Sequence, residues 1–167
     1  MTTVDEYIKE LQRELVNPKS YKIEGAYRYL GNENFYSGEF LIGEEISDKR
    51  QVVGEIIDYI SVCKKHAVKG ELRLENKLVK LDFIKIPTWI LVPIYYSLIQ
   101  SDNNMGDLSD ESIRGMYEGH WAFVEKGIIS KNLQIIGERR NNQIAISVVT
   151  EVGLPEQKNT TYLKVYK

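Results

Sequence analysis

The hydrophobic residues change their spacing near residue 18, and this change separates a short helical part from a long strand-forming part. Before Pro18 they recur at steps of three and four residues, which places them on one face of a helix. Thr3 and Glu6 have the spacing of a capping box, and Asn17 with Pro18 ends the pattern. The sequence therefore predicts a helix over residues 4–16. Its apolar stripe comprises Val4, Tyr7, Ile8, Leu11 and Leu15.

From residue 21 onward, apolar and polar residues alternate in short runs that turn residues separate. A period of two is typical of strands that bury one face, and short strands joined by brief turns favour an antiparallel meander. The predicted fold is mainly β: a meander β-barrel, or a strongly curled sheet, of about 8–10 strands behind one N-terminal α-helix. Strands are expected near residues 21–30, 36–46, 51–60, 66–75, 78–86, 93–100, 115–125, 128–139, 143–152 and 160–166.

Two turns fix the register of the strands beside them. If Asn76 and Lys77 form a two-residue loop, both flanking strands present apolar residues to one face. The facing pairs are then Leu74 with Val79, Leu72 with Leu81 and Gly70 with Phe83. The residues on the outer face are Lys69, Glu71, Arg73, Lys80 and Asp82. A loop at Asn141 and Asn142 acts in the same way and pairs Ile135 with Val148 and Gly137 with Ile146.

Five predicted strands carry a glycine in phase with their apolar residues. Glycine weakens a flat strand, but it permits sharp bending and close packing where a sheet coils over its own interior. No Gly-rich loop between a strand and a helix accompanies these residues, so the pattern does not indicate phosphate binding. The inner-face glycines are Gly38, Gly54, Gly70, Gly119 and Gly137.

The segment Tyr117-Glu118-Gly119-His120-Trp121 resembles the Gly-x-Trp strand opening of calycin proteins, which include lipocalins, avidins and fatty-acid-binding proteins. Residues 36–40 are a looser form of the same motif. The resemblance implies that Trp121 packs the barrel floor and that the interior can hold one small apolar or amphipathic molecule. The expected ligand contacts are Phe40, Leu72, Phe83, Tyr117, Trp121 and Phe123, although such residues more commonly form an ordinary core.

Length, charge and composition limit the domain count, the partners and the location expected for this protein. The 167 residues match one domain, expected over 1–167 with the helix at 4–16 and the barrel at 21–167. The net charge of -2, with both signs interspersed, argues against nucleic acid as a partner. The longest apolar stretch, Trp89 to Ile99, is too short for membrane insertion. An acidic N-terminus without an apolar run, and a single cysteine, predict a cytoplasmic location.

The residues that most often carry chemistry form no recognisable set. Cys63 and His66 lie three residues apart, which on a strand places them on opposite faces, and His120 is the only other histidine. Residues 102–107 resemble a calcium loop, but the glycine is misplaced and no bidentate Glu follows, so we interpret them as a solvated turn. We therefore predict no metal, no cofactor and no catalytic residues.

Three functions stay open. The leading hypothesis is non-enzymatic binding of a small apolar or amphipathic ligand inside a calycin-like barrel. The alternatives are a non-catalytic interaction or structural module with a packed barrel, including a homodimer, and an enzyme with an acid/base site that the sequence does not reveal. The polar segment Ser101 to Arg114, with a possible short helix after Ser109, is either a lid or a surface loop.

Overall fold

The computed structural model describes residues 4–29, 32–58, 65–86, 94–101, 106–123 and 160–167. In this part of the chain each strand pairs antiparallel with the next, and the last strand pairs with the first to close an eight-stranded barrel. The elements are α1 (Val4–Gln12), β1 (Lys19–Tyr29), β2 (Asn32–Ile42), β3 (Lys49–Asp58), β4 (Lys65–Glu75), β5 (Leu78–Ile86), β6 (Ile94–Gln100), β7 (Gly115–Phe123) and β8 (Thr160–Tyr166). The predicted mainly β fold is confirmed, with closure in place of an open curled sheet.

The predicted strands at 128–139 and 143–152, the loop at Asn141 and Asn142, and the capping residue Thr3 lie outside the described residues. So do Gly137, Ile146 and Cys63.

Helix α1 ends at Gln12, earlier than the predicted residue 16. The chain tightens after it, because the amides of Glu14 and Leu15 bond carbonyls three residues back instead of four. This turn brings the Val16 carbonyl to the amide of Glu44, at 2.8 Å. The apolar stripe therefore predicts the buried face, including Ile8 and Leu11, while the contact with the barrel determines where the helix stops.

The hairpin at Asn76 and Lys77 is confirmed together with its register. Both loop residues have positive φ, 54° and 65°, as a type I′ turn requires. The structure pairs Leu74 with Val79, Leu72 with Leu81 and Gly70 with Phe83.

Inner-face glycines lie where neighbouring strands come closest. A Cβ atom on Gly38 would overlap the carbonyl oxygen of Glu55, and one on Gly54 would overlap that of Glu39. Gly70 and Gly119 meet the backbones of β5 and β6 in the same way. The backbone occupies the space that a side chain would need, so these positions allow the barrel wall to coil tightly.

Aromatic rings cross the barrel interior. The rings of Tyr36 and Tyr96 lie 6.2 Å apart, although β2 and β6 are on opposite sides of the eight-stranded ring. Phe40 and Phe83 lie 5.6 Å apart, and Phe83 stacks on Tyr96 at 4.6 Å. Side chains from opposite walls therefore touch in the middle of the barrel.

One end of the barrel, here called the Arg50 end, is closed by residues 106–114. The buried guanidinium of Arg50 donates to the carbonyls of Gly43 and Leu108 at 2.6 and 2.9 Å, and to Asp110 at 2.9 Å. Leu108 and Ile113 are buried beneath it. The segment forms a packed closure with a single turn after Ser109, and the predicted short helix does not form.

The outer face of β4 and β5 carries buried charges. The register places Glu71, Arg73 and Asp82 on this face, as predicted, yet Glu71 is 1% exposed and Asp82 is 0% exposed. Arg73 bonds the Asp82 carboxylate, and Lys69 lies 3.6 Å from Glu14, just after α1. An outward position on this wall is therefore not the same as exposure to solvent.

Because its added Cβ would collide with backbone, Gly38→Ala is expected to lower the free energy of unfolding by about 1–3 kcal/mol. Gly43→Ala is the matched control, since the atom nearest to its added Cβ, the Val16 carbonyl oxygen, would lie 3.4 Å away. The control should change stability by less than about 1 kcal/mol. Urea denaturation of both variants tests this, and equal costs would contradict the close-approach explanation.

Candidate functional site

Two oppositely charged side chains meet inside the barrel at the end opposite Arg50, here called the Asp58 end. Asp58 is the last residue of β3 and continues the inward phase of Gly54 and Ile56. Lys85 lies near the end of β5, in phase with Phe83. Their charged groups are 3.1 Å apart, and their side chains are 5% and 2% exposed. The interior therefore contains a desolvated ion pair.

Tyrosines surround this pair. The Tyr27 hydroxyl donates to the same Asp58 oxygen that Lys85 contacts, at 3.0 Å. The Lys85 ammonium also lies 5.3 Å from the ring centroid of Tyr27 and 5.6 Å from that of Tyr96. An ammonium over an aromatic ring gains electrostatic attraction, which partly replaces its lost hydration. Carboxylate, ammonium, hydroxyl and two rings thus form one contact group.

His66 lies one strand from Lys85 and is buried. Within the described part of the chain, its Nδ1 atom is buried without a hydrogen-bond partner. Burial and, to a smaller extent, the positive charge of Lys85 lower the pKa of His66 to about 4, although Asp58 acts in the opposite direction. The imidazole is therefore neutral at pH 7 and carries an unused polar atom.

Burial also changes the pKa values of Lys85 and Tyr27, which contact Asp58. Desolvation lowers the pKa of Lys85, and the ion pair with Asp58 opposes this effect. Desolvation raises the pKa of Tyr27, as do the charge and the hydrogen bond of Asp58. Tyr27 therefore keeps its proton and serves as a hydrogen-bond donor.

The barrel wall at this end is fixed where β8 begins. The Tyr36 hydroxyl lies 3.0 Å from the Thr161 hydroxyl and 3.1 Å from the Tyr162 carbonyl. The Thr161 hydroxyl donates to the Ala26 carbonyl at 2.8 Å. Trp121 donates from Nε1 to the Arg28 carbonyl at 3.1 Å and packs edge-on against Tyr27 at 5.8 Å. These bonds hold β1, β2, β7 and β8 together beside the ion pair.

A pocket of about 420 Å³ opens beside this part of the wall. Its lining includes Tyr27 and Thr161, which belong to the inner face, as well as outer-face residues of β1, β7 and β8. The outer-face lining residues include Arg28, Glu118, His120 and Tyr162. The pocket therefore reaches from outside the barrel to the tyrosine that contacts Asp58.

The predicted ligand residues are dispersed along the interior. Phe40, Leu72, Phe83, Tyr117 and Trp121 are all buried, while the side chain of Phe123 is outside the described residues. Phe40 and Phe83 pack against each other in the middle. Tyr117 belongs to the Arg50 end, where its hydroxyl donates to the Ile113 carbonyl at 2.6 Å. Trp121 packs on Tyr27 of the Asp58 group, and Phe83 stacks on Tyr96 of the same group.

Sequence reasoning missed Asp58 and Lys85. The sequence does contain a signal for these two residues, because both occupy inward positions of the period-two alternation. Asp58 follows Gly54 and Ile56 at steps of two, and Lys85 follows Leu81 and Phe83 in the same way. A charge in apolar phase at the end of a strand indicates either the edge of the core or a buried polar site. Only the position of the facing strand decides between them, and β3 and β5 are not consecutive.

No protein-family model matches this chain, and no curated protein or solved structure matches it. Among the described residues, no group of three or more metal-binding side chains is arranged to hold an ion. No helix in the described ranges is long and apolar enough to span a membrane. The structure therefore supports the barrel class in general, and the case for a function rests on the site itself.

Breaking the buried ion pair should cost far more than breaking an exposed one. We expect Asp58→Leu and Lys85→Met each to lower the free energy of unfolding by about 3–5 kcal/mol, because each leaves an unpaired buried charge. The double variant should cost less than the sum of the two. The control is Lys65→Met in the exposed pair with Glu55, at 3.4 Å, which should cost at most about 1 kcal/mol. Additive costs at Asp58 and Lys85 would contradict the pairing.

Titration of His66 should make stability depend on pH in a defined window. The unfolded histidine takes up a proton near its ordinary pKa of 6.5, whereas the folded one does so only near 4. The free energy of unfolding should therefore fall as the pH drops from 6.5 to 4. His66→Gln should flatten this dependence, while the matched variant His120→Gln on the outer face should retain it. Urea titrations at several pH values measure the slopes; identical slopes in all three proteins would refute the assignment.

Proposed function

We propose that this chain is a calycin-like barrel that binds a small amphipathic molecule at the Asp58 end without catalysing a reaction of it. The observation that carries the proposal is the pocket of about 420 Å³ that reaches Tyr27. Pockets for small molecules commonly have volumes of roughly 300–1,000 Å³ and often lie at the mouths of barrels. This pocket combines that size with a lining tyrosine that is bonded to the buried Asp58.

The charge balance of the site favours a ligand with an uncharged polar group. Asp58 and Lys85 already neutralise each other at 3.1 Å. A charged ligand would lose hydration on entry and would find no unpaired counter-charge in this pair. A hydroxyl, carbonyl or amide loses less hydration and can bond the hydroxyl of Tyr27, which lines the pocket.

The apolar part of the ligand would contact the aromatic rings beside the polar group. Trp121 and Tyr27 form an edge-to-face pair, and Tyr36 stacks on Tyr27 at 6.1 Å. Planar or branched hydrocarbon groups pack well against such ring faces and edges. The proposal therefore places the ligand at the end of the barrel, above the rings that touch in the middle.

The second candidate is a structural or interaction module with a packed barrel. The observation in its favour is the contact between Tyr36 and Tyr96 across the interior, continued by Phe83 and Phe40. Under this alternative the Asp58–Lys85 pair would only fix the packing, and no small molecule would raise the melting temperature. The two candidates therefore differ in a direct binding measurement.

A thermal-shift panel of fatty acids and isoprenoid alcohols tests the proposal, with calorimetry for any compound that raises the melting temperature. We expect neutral isoprenoid alcohols to stabilise the protein more than fatty-acid anions. Tyr27→Phe, which removes the hydroxyl beside Asp58, should weaken binding by about tenfold, equivalent to about 1.4 kcal/mol.

The matched control is Tyr166→Phe, which removes a hydroxyl bonded to Glu24 on the outer face. It should leave the Kd unchanged. If no compound in the panel stabilises the protein, the packed module is the better account. Equal weakening by both tyrosine variants would place the ligand elsewhere.

A further inference from the structure

Lys85 is a primary amine at the Asp58 end, bonded to the same carboxylate oxygen as Tyr27, which lines the proposed pocket. We propose that Lys85 captures aldehydes among the ligands of this barrel as a reversible imine. This inference rests on the proposed binding function and specifies one class of ligand for the same site. It adds a covalent step that requires no cofactor.

The surroundings of Lys85 suit this chemistry. Its Nζ atom lies 3.1 Å from Asp58 Oδ2, and the Tyr27 hydroxyl lies 3.0 Å from the same oxygen. The carboxylate can therefore accept the ammonium proton, and the tyrosine is a donor beside the position where a carbonyl oxygen would arrive. Amines in desolvated pockets are the ones that form Schiff bases readily, because burial favours the neutral nucleophile.

The reaction balances with these groups alone. The ammonium of Lys85 passes a proton to Asp58, and the free amine attacks the aldehyde carbon to form a C–N bond. The carbonyl oxygen takes up a proton and becomes the hydroxyl of a carbinolamine. That hydroxyl then leaves as water after a second protonation, and a C=N bond replaces the C–O bond. Overall, an ammonium and an aldehyde give a protonated imine and water, with no oxidation or reduction.

The protonated imine keeps the positive charge of the original ammonium. It therefore remains paired with Asp58, and it keeps the favourable position over the rings of Tyr27 and Tyr96. The electrostatic pattern of the site is the same before and after the reaction. Exclusion of bulk water around a side chain that is only 2% exposed also slows hydrolysis of the adduct.

The chain contains a matched lysine outside the barrel. Lys164 lies 5.4 Å from the ring centroid of Tyr166 and is exposed. It has the same amine and a similar aromatic neighbour, but it is hydrated. Comparing the two lysines separates the effect of the buried site from ordinary surface reactivity.

The test treats the full chain with geranial, an isoprenoid aldehyde, and reduces any imine with cyanoborohydride before peptide mass spectrometry. We expect several times more adduct at Lys85 than at Lys164, because the amine of Lys85 is desolvated and lies beside the Asp58 carboxylate. Lys85→Arg should abolish the main adduct, and Lys164→Arg should not. The comparison of the two peptides in the wild-type protein needs no variant, so it holds even if Lys85→Arg fails to fold.

Geraniol, the matching alcohol, distinguishes failure of this inference from failure of the proposed function. If geraniol and geranial both raise the melting temperature but Lys85 carries no adduct, binding stands and imine capture is wrong. If neither compound stabilises the protein and no adduct forms at Lys85, both are wrong. Equal labelling of Lys85 and Lys164 would also overturn the inference, because it would reflect surface chemistry alone.

Discussion

Closure of eight strands into a narrow ring is the constraint on which the rest of the structure depends. A barrel of this size has an interior only wide enough for side chains or one small ligand. Gly38 and Gly54 let adjacent backbones approach more closely than any side chain would allow. The opposite walls then come close enough for Tyr36 to meet Tyr96. The space for a ligand is consequently limited to the ends of the barrel.

The two ends use buried charge in different ways. At the Arg50 end the guanidinium is bonded to two backbone carbonyls and to Asp110, so the 106–114 segment is fixed as a closure. Hydrogen bonds from Lys19 and Arg50 also hold the pKa of Asp110 at about 2, below its ordinary value. At the Asp58 end the ion pair contacts Tyr27 instead, and Tyr27 lines a pocket. The first arrangement fixes a closing segment, and the second connects a buried ion pair to a residue of the pocket wall.

Period-two alternation was sufficient to predict the β fold, the Asn76–Lys77 register and the inward glycines, because each depends on local spacing. The end of α1 could not be predicted, since it depends on the bond between Val16 and Glu44, far apart in sequence. The site was missed for a similar reason. Asp58 and Lys85 come from strands that are not consecutive, and in isolation each reads as a polar residue at the end of a strand. Apolar residues such as Phe40 were predicted as ligand contacts, but the alternation of apolar and polar residues does not distinguish a residue that packs the core from one that contacts a ligand.

The most direct test is to locate a bound molecule by NMR, using backbone amide shifts as geraniol is added to the labelled protein. The account predicts large shifts at Gly119 and Tyr162, which line the pocket at the Asp58 end, and at the Trp121 indole beside it. The amide of Gly43, which bonds Gln51 at the Arg50 end, should not move. Shifts confined to Gly43 and its neighbours, or no shifts at all, would contradict a ligand site at the Asp58 end.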